Sequence, residues 1–248
     1  MKYMGSKARI ANEILPIILK NRINEQRYYV EPFCGGCNTI DKVSGYRIAS
    51  DSNKYLIAMW KGLQDGNKYP LEIKKELYSS ARDAFNRKLD TFSDFEIGWI
   101  GWMGSYNGRF FDGGYSGHHV KVGKGYRDYI SESIRNIIQQ ISNIRGIEYS
   151  CCTYDKLKIP ENSIIYCDIP YKNTKQYGTS KDFNYNKFWQ WCRDMSYRGH
   201  EVFISEYEAP EDFSCIWSKE IANSLNTNNT YRPVEKLFKY ERYKNNKQ

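Results

Sequence analysis

Three short apolar segments of this chain each run into a carboxylate at the point where their apolar character stops. Tyr28-Tyr29-Val30 leads into Glu31-Pro32-Phe33-Cys34-Gly35-Gly36, residues 45–50 lead into Asp51, and residues 163–167 lead into Asp168-Ile169-Pro170-Tyr171. Runs this short, apolar and rich in β-branched or aromatic residues read as strands. Helical spacing lies between them. Leu56, Ile57, Met59, Trp60 and Leu63 form one apolar side, with Asp51, Ser52 or Asn53 as cap. Residues 126–145 repeat Ile130, Ile134, Ile137, Ile138, Ile141 and Ile144, and a further helix is predicted around 186–197. Strands are also predicted near Ile147–Cys151 and 201–205. Such alternation predicts an α/β fold with a largely parallel sheet and helices on its faces, and open sheets of this kind bind ligands at the carboxyl ends of their strands.

One stretch breaks the alternation. Residues 71–104 look helical, and 104–125, GSYNGRFFDGGYSGHHVKVGKG, are dense in glycine, aromatic and basic residues. A loop of about 20 residues without its own structure is unusual in a domain unless it is functional. We therefore predict one main domain from residues 1–65 and 136–248, interrupted by an inserted subdomain at 66–135. The 248 residues suit one large domain with such an insertion and show no internal repeat.

Composition narrows the partners. Lys and Arg total 37 against 29 Asp and Glu, a net charge of +8, which favours an anionic partner such as nucleic acid, a nucleotide or a membrane surface. No apolar run approaches the roughly 20 residues that span a bilayer. ILPIIL near the start is short and interrupted by Pro16, so no signal peptide is expected. Seven cysteines, an odd number, suit thiols in a reducing cytoplasm. Cys34-x-x-Cys37 has no second pair to complete a zinc site, so no metal is expected.

The strand tips carry the chemistry. Glycines after Glu31 let backbone approach a ligand closely, and Asp51, at the tip of the next strand, suits the two hydroxyls of a ribose as well as a helix cap. Lys2-Tyr3-Met4-Gly5-Ser6-Lys7 sets an aromatic ring, a glycine turn and a cation before a helix. At residues 168–171 a carboxylate, a backbone restrained by Pro170 and an aromatic ring come together. Asp168 and the Ile169 carbonyl offer two acceptors, suited to the two N–H donors of an exocyclic amine, and Tyr171 offers a stacking plane for the base that carries it.

Taken in order, KYMGSK at 2–7, VEPFCGG at 30–36, SDSN at 50–53, GSYNGRF at 104–110, YCDIPY at 166–171 and VFISEYEAP at 202–210 resemble the Dam-type DNA adenine-N6 methyltransferases of bacteria and phages. The resemblance implies a Rossmann-like methyltransferase sheet with a helical and loop target-recognition insertion. It also implies S-adenosylmethionine as methyl donor and a flipped-out adenine in double-stranded DNA as acceptor. By motif position, Tyr3, Lys7, Glu31, Phe33, Cys34, Gly35, Gly36, Asp51, Asn53 and Asp168 would contact the cofactor, and Asp168, Ile169, Pro170 and Tyr171 would hold the adenine. Tyr106, Asn107, Arg109, Lys121, Lys124, Arg127 and Lys172 would contact DNA, with Lys175 and the basic stretch 236–247 adding backbone affinity. Ile169 departs from the family pattern, which has proline there. The resemblance further implies a bacterial or phage-encoded cytoplasmic enzyme and leaves open a cognate restriction enzyme acting on the same site. The residues alone also admit cytosine N4 or RNA as acceptor, or an inert DNA-binding protein of the same fold. A nicotinamide dehydrogenase is disfavoured because the first turn lacks G-x-G-x-x-G.

Overall fold

A computed structural model of the chain describes residues 1–172, 183–221 and 233–241. Helix α1 (Ala11–Ile18) precedes β1 (Tyr29–Glu31), and β2 (Arg47–Asp51) leads into α2 (Lys54–Gln64). Next come α3 (Lys75–Arg87), α4 (Asp94–Gly104), the antiparallel pair β3 (Val120–Val122) and β4 (Gly125–Arg127), and α5 (Tyr129–Ile141). The chain continues through β5 (Ile147–Cys151), β6 (Ile164–Asp168), α6 (Tyr185–Tyr197), β7 (Glu201–Glu206), β8 (Phe213–Glu220) and β9 (Val234–Tyr240).

Seven of these strands form one sheet in the order β5-β2-β1-β6-β7-β9-β8. The first five run parallel, and β9 lies antiparallel between β7 and β8. This is the α/β fold with a largely parallel sheet that the alternation of strands and helices predicts. Its central strands are buried almost end to end, as their unbroken apolar runs require when helices cover both faces. One face packs Tyr29, Tyr166, Phe203 and Leu237 against α1, α2, α4 and α5. The other packs Val30, Ile165, Cys167 and Ile204 against α6.

The order of the strands places the site. From β1 the sheet grows through β2 to β5, then the chain crosses to β6 on the other side of β1 and continues to β7. The neighbouring carboxyl ends of β1 and β6 therefore feed loops that leave in opposite directions and open a crevice between them.

Residues 71–104, expected to be helical, form the two helices α3 and α4. Lys88 ends α3 in the left-handed conformation (φ 55°), and Ser93 with Glu96 forms a capping box that starts α4. From residue 97 to 104 every position of α4 is buried, and Gly98 lies so close to α2 that a Cβ would stand 2.3 Å from the Tyr55 carbonyl. The 66–135 segment thus packs into the main core: Trp99, Ile100, Trp102 and Met103 share one apolar cluster with Ile14, Leu56 and Trp60. The glycine-rich stretch is not bare loop either, since β3 pairs there with β4. Residues 236–240, read from sequence as part of a basic tail, belong to β9 with Leu237 and Phe238 buried. Among the described residues no helix is long and apolar enough to cross a membrane.

Candidate active site

At the tip of β6, Asp168 meets Lys7. Gly5 takes a left-handed turn (φ 77°) and Ser6 caps a short 3₁₀ turn, its Oγ accepting from the Ala8 N–H at 3.2 Å. That turn drives Lys7 inward until it is 6% exposed. Lys7 Nζ lies 2.9 Å from Asp168 Oδ1 and 3.8 Å from Glu235 Oε2, donates to the Gly5 carbonyl at 3.1 Å, and stands 4.5 Å from the Tyr171 ring centroid. Burial disfavours the ammonium, but Asp168 and Glu235 outweigh it and leave the Lys7 pKa raised. Burial raises the Asp168 pKa against the opposing pull of Lys7. The Tyr171 hydroxyl donates to Glu235 Oε2 at 2.5 Å, and its ring packs edge-on to Tyr207. The Tyr185 hydroxyl donates to the Pro170 carbonyl at 2.9 Å, while Ile169 turns its side chain into the apolar cluster beside α6. Glu206, at the end of β7, accepts from the N–H groups of Tyr207 and Lys172, and burial pushes its pKa up to about 7.

Across the crevice, Asp51 binds the glycine loop. Oδ2 accepts from the Gly35 N–H at 3.2 Å and Oδ1 from the Asn53 N–H at 2.9 Å. Asn53 itself is the α2 cap, accepting from the Tyr55 and Leu56 N–H groups. Burial raises the Asp51 pKa, and only backbone donors oppose that rise. The Trp60 Nε1–H donates to the Gly35 carbonyl at 3.0 Å, and Cys34 donates its N–H to the Ser50 carbonyl, so the loop is pinned to β2 and α2. Gly35 has φ 44°, and a Cβ there would stand 2.7 Å from the Tyr3 ring. A Cβ on Gly36 would stand 2.6 Å from Asn38 Nδ2, a buried donor with no acceptor among the described residues. Phe33 packs its ring against Tyr154 and Phe188. Tyr3 links the two sides: burial raises its phenol pKa, and Asp51 and Asp168 both add to the rise. All seven cysteines are unpaired, with the Cys34 and Cys37 thiols pushed up by burial, and no metal-binding group of three or more His, Cys, Asp or Glu is found among the described residues.

Glu31 lies behind the loop, 2% exposed, with the Tyr29 hydroxyl donating to Oε1 at 2.8 Å. Burial pushes its pKa up from 4.5 to about 8. The folded state therefore holds this proton more tightly than the unfolded chain, and its contribution to stability is lost as pH rises from about 4.5 to about 8. Glu31→Gln is expected to flatten that decline, read as urea midpoints at pH 5 and pH 8. Midpoints that fall in parallel for variant and native chain would contradict the assignment.

Within residues 66–135, Lys121, Lys124 and Tyr106 are exposed, and Asn107 takes a left-handed conformation. Arg109 is held by Asp112 at 2.6 Å, and Arg127 pairs with Glu132, which also binds Lys2. Gly108 abuts the segment before Tyr3, where a Cβ would stand 2.4 Å from the Lys2 carbonyl. Phe110 stacks on Trp102 at 4.2 Å and Phe111 is buried, so both turn inward. His118 is also structural: Nε2 accepts from the Ile73 N–H while Nδ1 faces Asp128. Lys172 follows Tyr171 and is exposed; Lys175 and residues 242–247 lie outside the described residues.

The crevice thus gathers Tyr3, Lys7, Glu31, Phe33, Cys34, Gly35, Gly36, Asp51 and residues 168–171 at adjoining strand tips. Sequence reasoning missed Glu235, Glu206 and Tyr185. Glu206 sits in the quoted VFISEYEAP stretch and was open to discovery as another strand-tip acid, whereas Glu235 lies in a lysine-rich stretch that masks its strand. Over residues 3–227 the chain matches the family described as D12 class N6 adenine-specific DNA methyltransferase.

Proposed function

Because this chain belongs to the D12 class of N6 adenine-specific DNA methyltransferases, we propose that S-adenosylmethionine is its methyl donor and that the crevice at the β1/β6 tips holds it against a flipped-out adenine of double-stranded DNA. The observation that carries this reading is the pair of half-buried carboxylates, Asp51 and Asp168, flanking Tyr3 at the reversal of strand order.

The residues present fit that donor. Asp51 is a half-buried carboxylate that, among the described residues, accepts from backbone N–H groups, so it retains capacity to accept from the hydroxyls of a ribose. Asn38 Nδ2, close to Gly36, is a buried donor that finds no acceptor among the described residues. When bound, the donor supplies an electrophilic methyl group. Phe33 and Tyr3 supply apolar surface beside the glycine loop, and Asn53 acts indirectly, fixing the start of α2 next to Asp51.

The amine of adenine is a weak nucleophile because its lone pair is delocalised into the ring. Asp168 Oδ and the Ile169 carbonyl accept its two N–H groups, which favours a tetrahedral nitrogen with its lone pair directed at the methyl carbon. Tyr171 offers its ring to the base. The hydrogen bond from Tyr185 to the Pro170 carbonyl and the burial of the Ile169 side chain hold this backbone, which explains how isoleucine serves where the family has proline.

Residues 66–135 carry the DNA contacts in this reading. Lys121 and Lys124 on the β3–β4 pair meet phosphates, as do Lys172 and Arg127, while Tyr106, Asn107 and Arg109 face the bases. Arg109 must leave Asp112 to read a guanine edge. The contact of Gly108 with Lys2 couples this surface to the Lys7 segment.

Calorimetric titration with S-adenosylmethionine tests the donor. The native chain is expected to bind, and Asp51→Ala to bind about 10- to 100-fold more weakly, as fits the loss of charge-assisted hydrogen bonds. Absence of binding by the native chain would contradict the reading and favour an inert DNA-binding protein of the same fold.

A further inference from the structure

We infer that Glu235 is a positioning residue of the transfer site, anchoring the Tyr171 ring and receiving Lys7 as counter-ion when the adenine amine engages Asp168. The inference rests on the proposed role of Asp168 as acceptor of that amine.

Its placement follows from strand alternation. Glu235 and Leu237 lie on the same face of β9. Leu237 is fully buried in the cluster that contains Tyr166 and Phe203. Two residues further along their strands, on that same face, stand Asp168 and Ser205, aligned across the β6–β7 ladder. Glu235 therefore reaches over the end of β7 towards Asp168. Its side chain is 14% exposed, and among the described residues its hydrogen bond goes to Tyr171 and its ion pair to Lys7, both site groups.

The charges explain why a second carboxylate is needed. Lys7 faces Asp168 at 2.9 Å, Glu235 at 3.8 Å, the Tyr171 ring and the Tyr207 phenol, with Glu206 also within its field. Asp168 faces Lys7 and Glu235, while Glu31, Tyr166 and Tyr171 feel its charge. In the resting geometry Lys7 lies nearer to Asp168 Oδ1 than to Glu235 Oε2, so it competes with an amine for the Asp168 carboxylate. A buried ammonium that gives up one carboxylate requires another, and Glu235 is the neighbouring carboxylate with which it already pairs. A short movement of Nζ towards Glu235 frees Asp168 without stranding the lysine.

Glu235→Gln keeps the shape and an acceptor for Tyr171 but removes the charge. It is expected to lower kcat by about 10- to 100-fold, the scale of a charge-assisted hydrogen bond. It should also move both limbs of the pH–rate profile to lower pH, because Glu235 raises the pKa values of Asp168 and of Lys7 alike. Tyr171→Phe, which keeps the charge and the ring, is expected to raise KM for DNA by roughly 3- to 10-fold with the profile unmoved. Asp168→Ala is measured beside them. Turnover in Asp168→Ala would remove the underlying reading. An inactive Asp168→Ala with native kcat and an unmoved profile in Glu235→Gln would overturn the role of Glu235 alone, and an unchanged KM in Tyr171→Phe would overturn the anchoring of the ring.

Discussion

Asp168→Ala is expected to lower kcat by about 10³-fold or more while DNA binding persists. The proposed contribution of this carboxylate exists only once the amine nitrogen begins to change geometry, so its loss falls on the transition state and not on the encounter with DNA. The groups proposed to face DNA lie elsewhere in the chain, at residues 106–127 and at Lys172. Folding should survive, because Lys7 retains Glu235 at 3.8 Å and its bond to the Gly5 carbonyl. The measurements are transfer of a radiolabelled methyl group and fluorescence anisotropy with a labelled duplex. Loss of both activities together would point to a structural role for Asp168, and native turnover would remove it from the mechanism.

Lys7→Met should cost both stability and activity. Lys7 is the buried cation between Asp168 and Glu235, and removing one partner from a buried ionic cluster costs about 3 to 5 kcal/mol. The cost depends on pH in a defined direction. In the native chain the folded pKa of Lys7 is raised, so its stabilisation is fully present below the lysine range and constant between pH 5 and pH 9. Without the ammonium, the pKa of Asp168, already raised by burial, rises further. The folded state then binds a proton that the unfolded chain releases, and stability is lost as pH climbs through that interval. Urea midpoints should therefore fall further below the native chain at pH 8 than at pH 5. An equal deficit at both values would show that Lys7 acts by packing and not by charge.

The strand tips were readable because parallel central strands are buried on both faces. Their sequences are unbroken apolar runs, and the first carboxylate after each marks where the sheet ends. The same burial conceals other features. Helix α4 lies between α2 and the rest of the insertion, so Trp99, Ile100, Trp102 and Met103 surround its axis and no polar stripe betrays its orientation. Phe110, Phe111 and His118 look like nucleic-acid chemistry in a glycine-rich stretch, yet they pack on Trp102, on Tyr78 and against the Ile73 backbone. In β9, Lys236 and Lys239 interrupt the apolar pattern and give the stretch the look of a solvated tail. Glu235 was not legible, because its partner Lys7 comes from the opposite end of the chain and only the antiparallel placement of β9 beside β7 brings the two together.

In the proposed function the crevice between β1 and β6 directs a methyl group from S-adenosylmethionine to the N6 amine of adenine. The most direct test incubates the chain and Asp168→Ala with isotopically labelled S-adenosylmethionine and double-stranded DNA, then digests the DNA and identifies labelled nucleosides by mass spectrometry. Label confined to N6-methyladenine in the native reaction, and absent with Asp168→Ala, is the predicted result. Label on cytosine N4, label persisting with Asp168→Ala, or no label with the native chain would contradict it.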